Sequence, residues 1–352
     1  MNALQTLLSK IEAPDVAAMK AAQARQDTLT KPPGSLGRLE RLSLQIAGIT
    51  GSARPHLHHK VITTMAGDHG VVAEGVSAFP QEVTPQMVLN FLHGGAAINV
   101  LARHVGARVV VVDMGVAAEL PPHAALVNKK VGRGTANIAR GPAMTREQAL
   151  QSLLNGAAVV EAEIERGLDI LGTGDMGIGN TTPSAAIAAA VTGRAPAQIV
   201  GRGTGVDDLG LARKVAAVEQ ALAVNRPDPH DGLDVLAKVG GFEIGGLAGA
   251  MLAAAAHRKP VVIDGFISGA AALIAVTLAP SLRPYLIAAH RSQEKGHRIM
   301  LEWLGLEPVL DLDLRLGEGT GAALAIGVCE AACKVLDEMA TFAEAGVAGR
   351  LD

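Results

Sequence analysis

In RLGEGTGAALA, Arg315 to Ala325, one carboxylate stands between two glycines just before a strongly helical stretch. Gly317 and Gly319 would let Glu318 face a ligand with no neighbouring side chain in the way. In an apolar crevice desolvation would raise its pKa and make it a better base. An acid beside the dipole of the following helix fits the same pattern equally well. Upstream, LGTGDMGIGNTTPSAAIAAA (171–190) runs through Gly172, Gly174, Gly177 and Gly179 into Asn180, Thr181 and Thr182, with Pro183 in a first helical turn. Glycine admits close backbone approach, free N–H groups favour an anion, and threonine hydroxyls add donors. The stretch is a candidate phosphate cradle, with a tight turn as the other reading. It is neither a P-loop nor a good GxGxxG fingerprint. A second glycine run, VGRGTGVDD (200–208), contains Gly203 and precedes a helical pattern carrying Arg213 and Lys214. Two glycine-rich helix starts and a cation suit one phosphate, with a solvated helix face as the other reading of Lys214, while Asp207 and Asp208 read as N-terminal helix charges.

Other reactive residues form weaker patterns. AGDHGVVAEGVSAFP (66–80) holds Asp68, His69 and Glu74, and HRSQEKGH (290–297) adds His290 and His297. HExxH is absent and His56, His58 and His59 lie in a proline-containing loop, so no metal is expected. GxSxG is absent too, and Ser268 stands at a helix start. Cys329 and Cys333 are spaced i, i+4 in an apolar helical pattern and read as buried, reduced thiols of a cytoplasmic protein.

These residues need a frame. The 352 residues carry 49% hydrophobic and 18% charged side chains, a globular composition with a sizeable core. A net charge of −3 and 2% aromatics give neither a pull toward nucleic acid nor stacking platforms for it. The N-terminus lacks the basic start and apolar run of a signal peptide. The uncharged run 265–282 holds Ser268, Thr277 and Pro280 and reads as a buried helix, so no membrane is expected.

Short β-branched runs at 61–66, 108–113, 168–172, 260–264, 285–289 and 308–314 alternate with helical patterns near 82–104, 145–166, 182–193, 207–224, 243–257, 267–279 and 291–304. That alternation predicts a Rossmann-like α/β fold, a three-layer parallel sheet flanked by helices. Residues 49–319 would form the large α/β catalytic domain. Residues 1–48 plus 320–352 would form a small discontinuous helical domain. The loops after the strands would converge on one crevice at the sheet's C-terminal edge.

Seven stretches then stand out together: KPPGSLGRLE (31–40), AGDHGV (66–71), GDMGIGNTTPSAA (174–186), KVGGFEIGGLAGAML (238–252), DGFISGAAAL (264–273), RPYLIAAHRSQEKGH (283–297) and RLGEGTGAALA (315–325). In this order they closely resemble the nicotinate-nucleotide:dimethylbenzimidazole phosphoribosyltransferase family of the cobalamin lower-ligand pathway. The resemblance implies transfer of 5-phosphoribose from nicotinate mononucleotide to 5,6-dimethylbenzimidazole, giving nicotinate and α-ribazole 5′-phosphate, without cofactor or metal. An alternative is the same reaction on another base, such as adenine or a phenolic acceptor. The resemblance makes Glu318 the general base and Asp175 a second catalytic acid, although many relatives carry the longer Glu there. It assigns Gly177, Gly179, Asn180, Thr181, Thr182, Gly203, Lys214 and Arg315 to the phosphate and nucleotide, and Phe79, Pro80, Gln86, Met87, Leu316 and Gly317 to the base. It also implies a homodimer.

Overall fold

The computed structural model describes residues 3–203 and 205–348. Helices α1 (Ala3–Leu8), α2 (Val16–Gln26) and α3 (Arg38–Thr50) precede strand β1 (Lys60–Gly67). Helices α4 (Val83–Leu92) and α5 (Ala97–Val105) lead to β2 (Ala107–Gly115) and β3 (Leu126–Asn128), and α6 (Arg146–Glu165) leads to β4 (Ile170–Met176). Next come α7 (Thr181–Thr192), α8 (Pro196–Ile199), α9 (Asp208–Asn225), α10 (Gly232–Val239) and α11 (Phe242–Ala256). The chain continues through β5 (Val261–Ile263), α12 (Phe266–Leu278) and β6 (Leu286–Ala288) to α13 (His297–Leu304), α14 (Thr320–Glu338) and α15 (Phe342–Ala345).

The strands form one parallel sheet in the order β3-β2-β1-β4-β5-β6. Every residue of β1 is buried, as a strand covered on both faces requires. Val61 and Met65 pack toward α6, α11 and α12; Ile62 and Ala66 pack toward α3, α5 and α14. The chain builds outward from β1 through β2 to β3, then crosses back to place β4 on the other side of β1. This reversal makes the C-terminal ends of β1 and β4 the topological switch point, where open α/β sheets bind ligands.

Local chemistry sets the element ends. Asp15, Thr145, Asp207 and Asp231 each accept a hydrogen bond from the first turn of the helix they precede. Helices α6 and α11 meet at glycines: a Cβ on Gly156 would lie 1.9 Å from the Gly246 carbonyl oxygen, and one on Gly249 would lie 1.8 Å from that of Leu153. The terminal helices touch through Ala22, Ala47 and Leu336, and Arg25 donates to the carbonyls of Leu336 and Asp337 at 2.6 and 2.8 Å. No helix among the described residues is long and apolar enough to cross a membrane.

Three expectations change and two short elements are new. Residues 308–314 are not a strand of the sheet: the segment runs beside 288–293 with one bridge, His290 to Leu310, and Asp313 at φ 55° breaks the extended path. The pattern over 82–104 is two helices, broken at Gly94 and Gly95, where Gly94 has φ 76°. The helix expected from 291 begins at His297, because the amides of Arg291 and Gln293 donate to the carbonyls of Leu310 and Leu314 instead. Short β3 and α10 carried too few periodic residues to be seen.

Candidate active site

A cavity of about 580 Å³ opens at the switch point, walled by the ends of β4 and β5 and by the loops after β6 and before α14. Its floor includes Glu318, whose backbone explains the flanking glycines. Gly317, Glu318 and Gly319 have φ values of 82°, 63° and 96°, three successive left-handed residues. For the glutamate this conformation costs roughly 1–2 kcal/mol. The surroundings hold it there. Thr64 of β1 donates its hydroxyl to the Glu318 carbonyl at 3.0 Å, and the Thr320 hydroxyl donates to the Gly317 carbonyl at 2.8 Å. A Cβ at position 174 would lie 2.2 Å from the Glu318 carbonyl oxygen, so β4 must carry glycine there. Glu318 is 6% exposed, with the Ile98 N–H at the start of α5 3.4 Å from Oε2. Burial holds its pKa above the ordinary value, and that amide opposes the shift.

Asp175, at the end of β4, lies beside this turn: a Cβ on Gly317 would be 3.1 Å from its Oδ1. Its Oδ2 accepts a 2.8 Å bond from the Asn180 amide. Burial, then the neighbouring Asp264, Glu243 and Glu318 carboxylates, push its pKa well above normal; Asn180 pulls the other way. Behind it lies a sealed pair, His69 and Glu243, 2.8 Å apart and 1% and 0% exposed. Burial disfavours the imidazolium of His69, but Glu243 and Asp68 prevail and hold its pKa above the ordinary value.

Behind Thr181 and Gly203 of the cavity wall stands a cation. Lys214 is not a solvated helix residue: it is 1% exposed, and its Nζ donates to the Thr181 hydroxyl at 2.9 Å. Among the described residues it has no second hydrogen-bond partner. Gly203 at φ 53° passes so close that a Cβ there would be 2.6 Å from the ammonium. Burial lowers its pKa to about 8, with Glu294 opposing. Much of the cavity wall is apolar and includes Phe79, Met87, Met176, Ile178, Phe266 and Leu316.

Of the residues read from the sequence, Phe79, Met87, Asp175, Gly177, Asn180, Thr181, Gly203, Arg315, Leu316, Gly317 and Glu318 line this cavity. Lys214 lies directly behind Thr181 and Gly203. Thr182 is fully buried within α7, and Gly179 turns at φ 89° against Val72. Pro80 and Gln86 are exposed and off the cavity wall. Sequence reasoning missed Phe266, Ser292 and Glu294 on the wall and Asp264 behind it. Each follows a strand end, the one signal that could have found them. Among the described residues no group of three or more His, Cys, Asp or Glu is placed to hold a metal ion.

A phosphoribosyltransferase family profile matches residues 11–347. The chain is similar to the nicotinate-nucleotide–dimethylbenzimidazole phosphoribosyltransferase of Roseiflexus sp. strain RS-1, 66% identical over 352 residues and 100% of both chains. That of Chloroflexus aurantiacus J-10-fl is 61% identical over 351 residues, again covering 100% of both. The crystal structure of the Thermus thermophilus enzyme of the same name superposes with a TM-score of 0.91 at 50% identity, covering 96% of this chain and 100% of that one. A match of this extent, around a cavity with a buried carboxylate on its wall and a buried ammonium behind it, places the chain in the nicotinate-nucleotide–dimethylbenzimidazole phosphoribosyltransferase family.

Proposed function

We propose that this protein transfers 5-phosphoribose from nicotinate mononucleotide to 5,6-dimethylbenzimidazole, releasing nicotinate and forming α-ribazole 5′-phosphate for the nucleotide loop of cobalamin. The observation that carries the mechanism is one cavity lined by the buried Glu318 carboxylate and backed, behind Thr181 and Gly203, by the buried Lys214 ammonium. The donor's phosphate docks against Lys214, Thr181, Gly203 and Arg315, with the first turn of α7 contributing its dipole. The flat base lies between Phe79, Met87 and Leu316, its N–H toward Glu318. One ring nitrogen attacks C1′ as the other gives its proton to Glu318. The C1′–pyridinium bond breaks with its electron pair going to the departing nitrogen, and C1′ inverts from β to α. Nicotinate leaves without protonation, so one base suffices. Asp175, beside the Glu318 turn and held by the Asn180 amide, orients the ribose by hydrogen bonding.

Release of nicotinate from its mononucleotide by purified protein, followed by chromatography, is expected only when dimethylbenzimidazole is present. No release with that base, together with release on another, would shift the assignment to that acceptor. The largely apolar base walls favour recognition by shape and make a panel of flat bases informative.

The protein is proposed to act as a cytoplasmic homodimer. Phe79, Leu312 and Leu316 at the cavity mouth are 52%, 53% and 57% exposed and offer apolar surface to a second copy. Cys329 and Cys333 are free and buried, consistent with a reducing compartment. The split into 49–319 and the terminal helices is also a proposal, supported by the packing of α2 and α3 on the end of α14.

A further inference from the structure

The left-handed turn at Glu318 is held through one side chain that the reaction itself does not use. Asp264 follows β5 and is 1% exposed. Its Oδ2 accepts the Gly319 N–H at 3.2 Å and its Oδ1 accepts the Ala322 N–H at 2.9 Å, so one carboxylate clamps the amide directly after the base and the first turn of α14. Asp264 is itself fixed. Its N–H donates to the Thr173 hydroxyl at 3.3 Å, and that hydroxyl lies 2.9 Å from Ser268 of α12. The clamp therefore links β4, β5 and α12 to the strained residue that carries the base. We propose that Asp264 is a positioning residue for phosphoribosyl transfer, fixing the turn that aims Glu318 into the cavity. The inference rests on Glu318 being the base.

Both oxygens are strong acceptors only while the carboxylate is ionised. Protonation turns one into a hydroxyl, a weaker acceptor, and loosens its hold on one of the two amides. The groups facing Asp264 are Glu318 on the turn, Asp175 on β4 and His290 after β6, whose Nε2 is 3.8 Å from Oδ1. Glu243 of α11 and His69 stand behind Asp175, and His297 of α13 lies beyond His290. Burial lowers the His290 pKa, and it lowers that of His297 to about 3, so neither ring supplies a counter-charge at neutral pH. Burial raises the Asp264 pKa to about 7; the amides of α14 oppose this, and Glu318 adds to it. Turnover should therefore rise through pH 7 as the clamp closes.

The test compares kcat, donor KM and the pH profile of the wild type, Asp264→Asn and Thr64→Val. Asp264→Asn keeps one acceptor and mimics the protonated clamp at every pH. Its kcat at pH 8 should fall roughly 10- to 100-fold with donor KM changed less than about threefold, and the limb near pH 7 should vanish. A merely structural role would leave that limb in place. Thr64→Val removes the second tether from a buried strand position, so it reports on the turn even where Asp264→Asn does not fold. It should lower kcat in the same way while retaining the limb. Wild-type kcat and an unchanged limb in Asp264→Asn, or wild-type kcat in Thr64→Val should the first variant not fold, would overturn the proposal. Wild-type turnover in Glu318→Gln would instead remove the base assignment on which it rests.

Discussion

Lys214 shows how one buried residue turns a sequence pattern into a binding prediction. An ammonium placed at 1% exposure is costly unless an anion completes its shell, and burial lowers its pKa to about 8. The free enzyme should therefore lose affinity for the phosphorylated donor as pH climbs past about 8 and the charge is lost. A kcat/KM for donor that stays flat well above that pH would contradict this. Removing the side chain in Lys214→Ala should raise donor KM about 10- to 100-fold, the worth of a charge-assisted hydrogen bond, with a smaller change in acceptor KM. Equal losses for both substrates would remove Lys214 from the phosphate end. On the acid side, Glu318 must be unprotonated to accept the acceptor's proton, so activity rises with pH through a value above the ordinary carboxylate range.

At the scale of elements, glycine decides what can approach what. Gly174 lets the Glu318 turn rest on β4, whereas Gly249 lets α11 rest on α6. The two substitutions should separate. Gly249→Ala, forced against the Leu153 carbonyl, should cost about 3 kcal/mol of stability, read as a lower unfolding midpoint. Gly174→Ala should displace the turn and lower kcat well before it affects the midpoint, and unchanged turnover would show that the contact does not position the base. Much of this was legible: β-branched runs marked β1, β2, β4, β5 and β6, and the loops after them supplied most of the cavity residues. What escaped was long-range or short-range in an unhelpful way. His69 and Glu243 are 174 residues apart, and nothing local marks them as partners. Asp264 read as the end of a strand because its clamp exists only once α14 is packed. Residues 308–314 alternate like a strand, yet Asp311 and Asp313 leave only a single bridge to the 288–293 segment.

For the whole molecule, the sheet's reversal at β1 and β4 creates one crevice that gathers the loops after the strands, and this places the Glu318 carboxylate on the cavity wall with the Lys214 ammonium behind it. The exposed apolar mouth predicts association: light scattering should give twice the chain mass of 36.0 kDa, whereas a monomer fully active at working concentration would contradict the proposed dimer. The central claim is that Glu318 takes the proton of the incoming base. Single-turnover transfer by Glu318→Gln, measured beside donor binding, tests it most directly. The account predicts a rate lower by about 10²- to 10⁴-fold with donor affinity unchanged. A variant that transfers phosphoribose at the wild-type rate would contradict it.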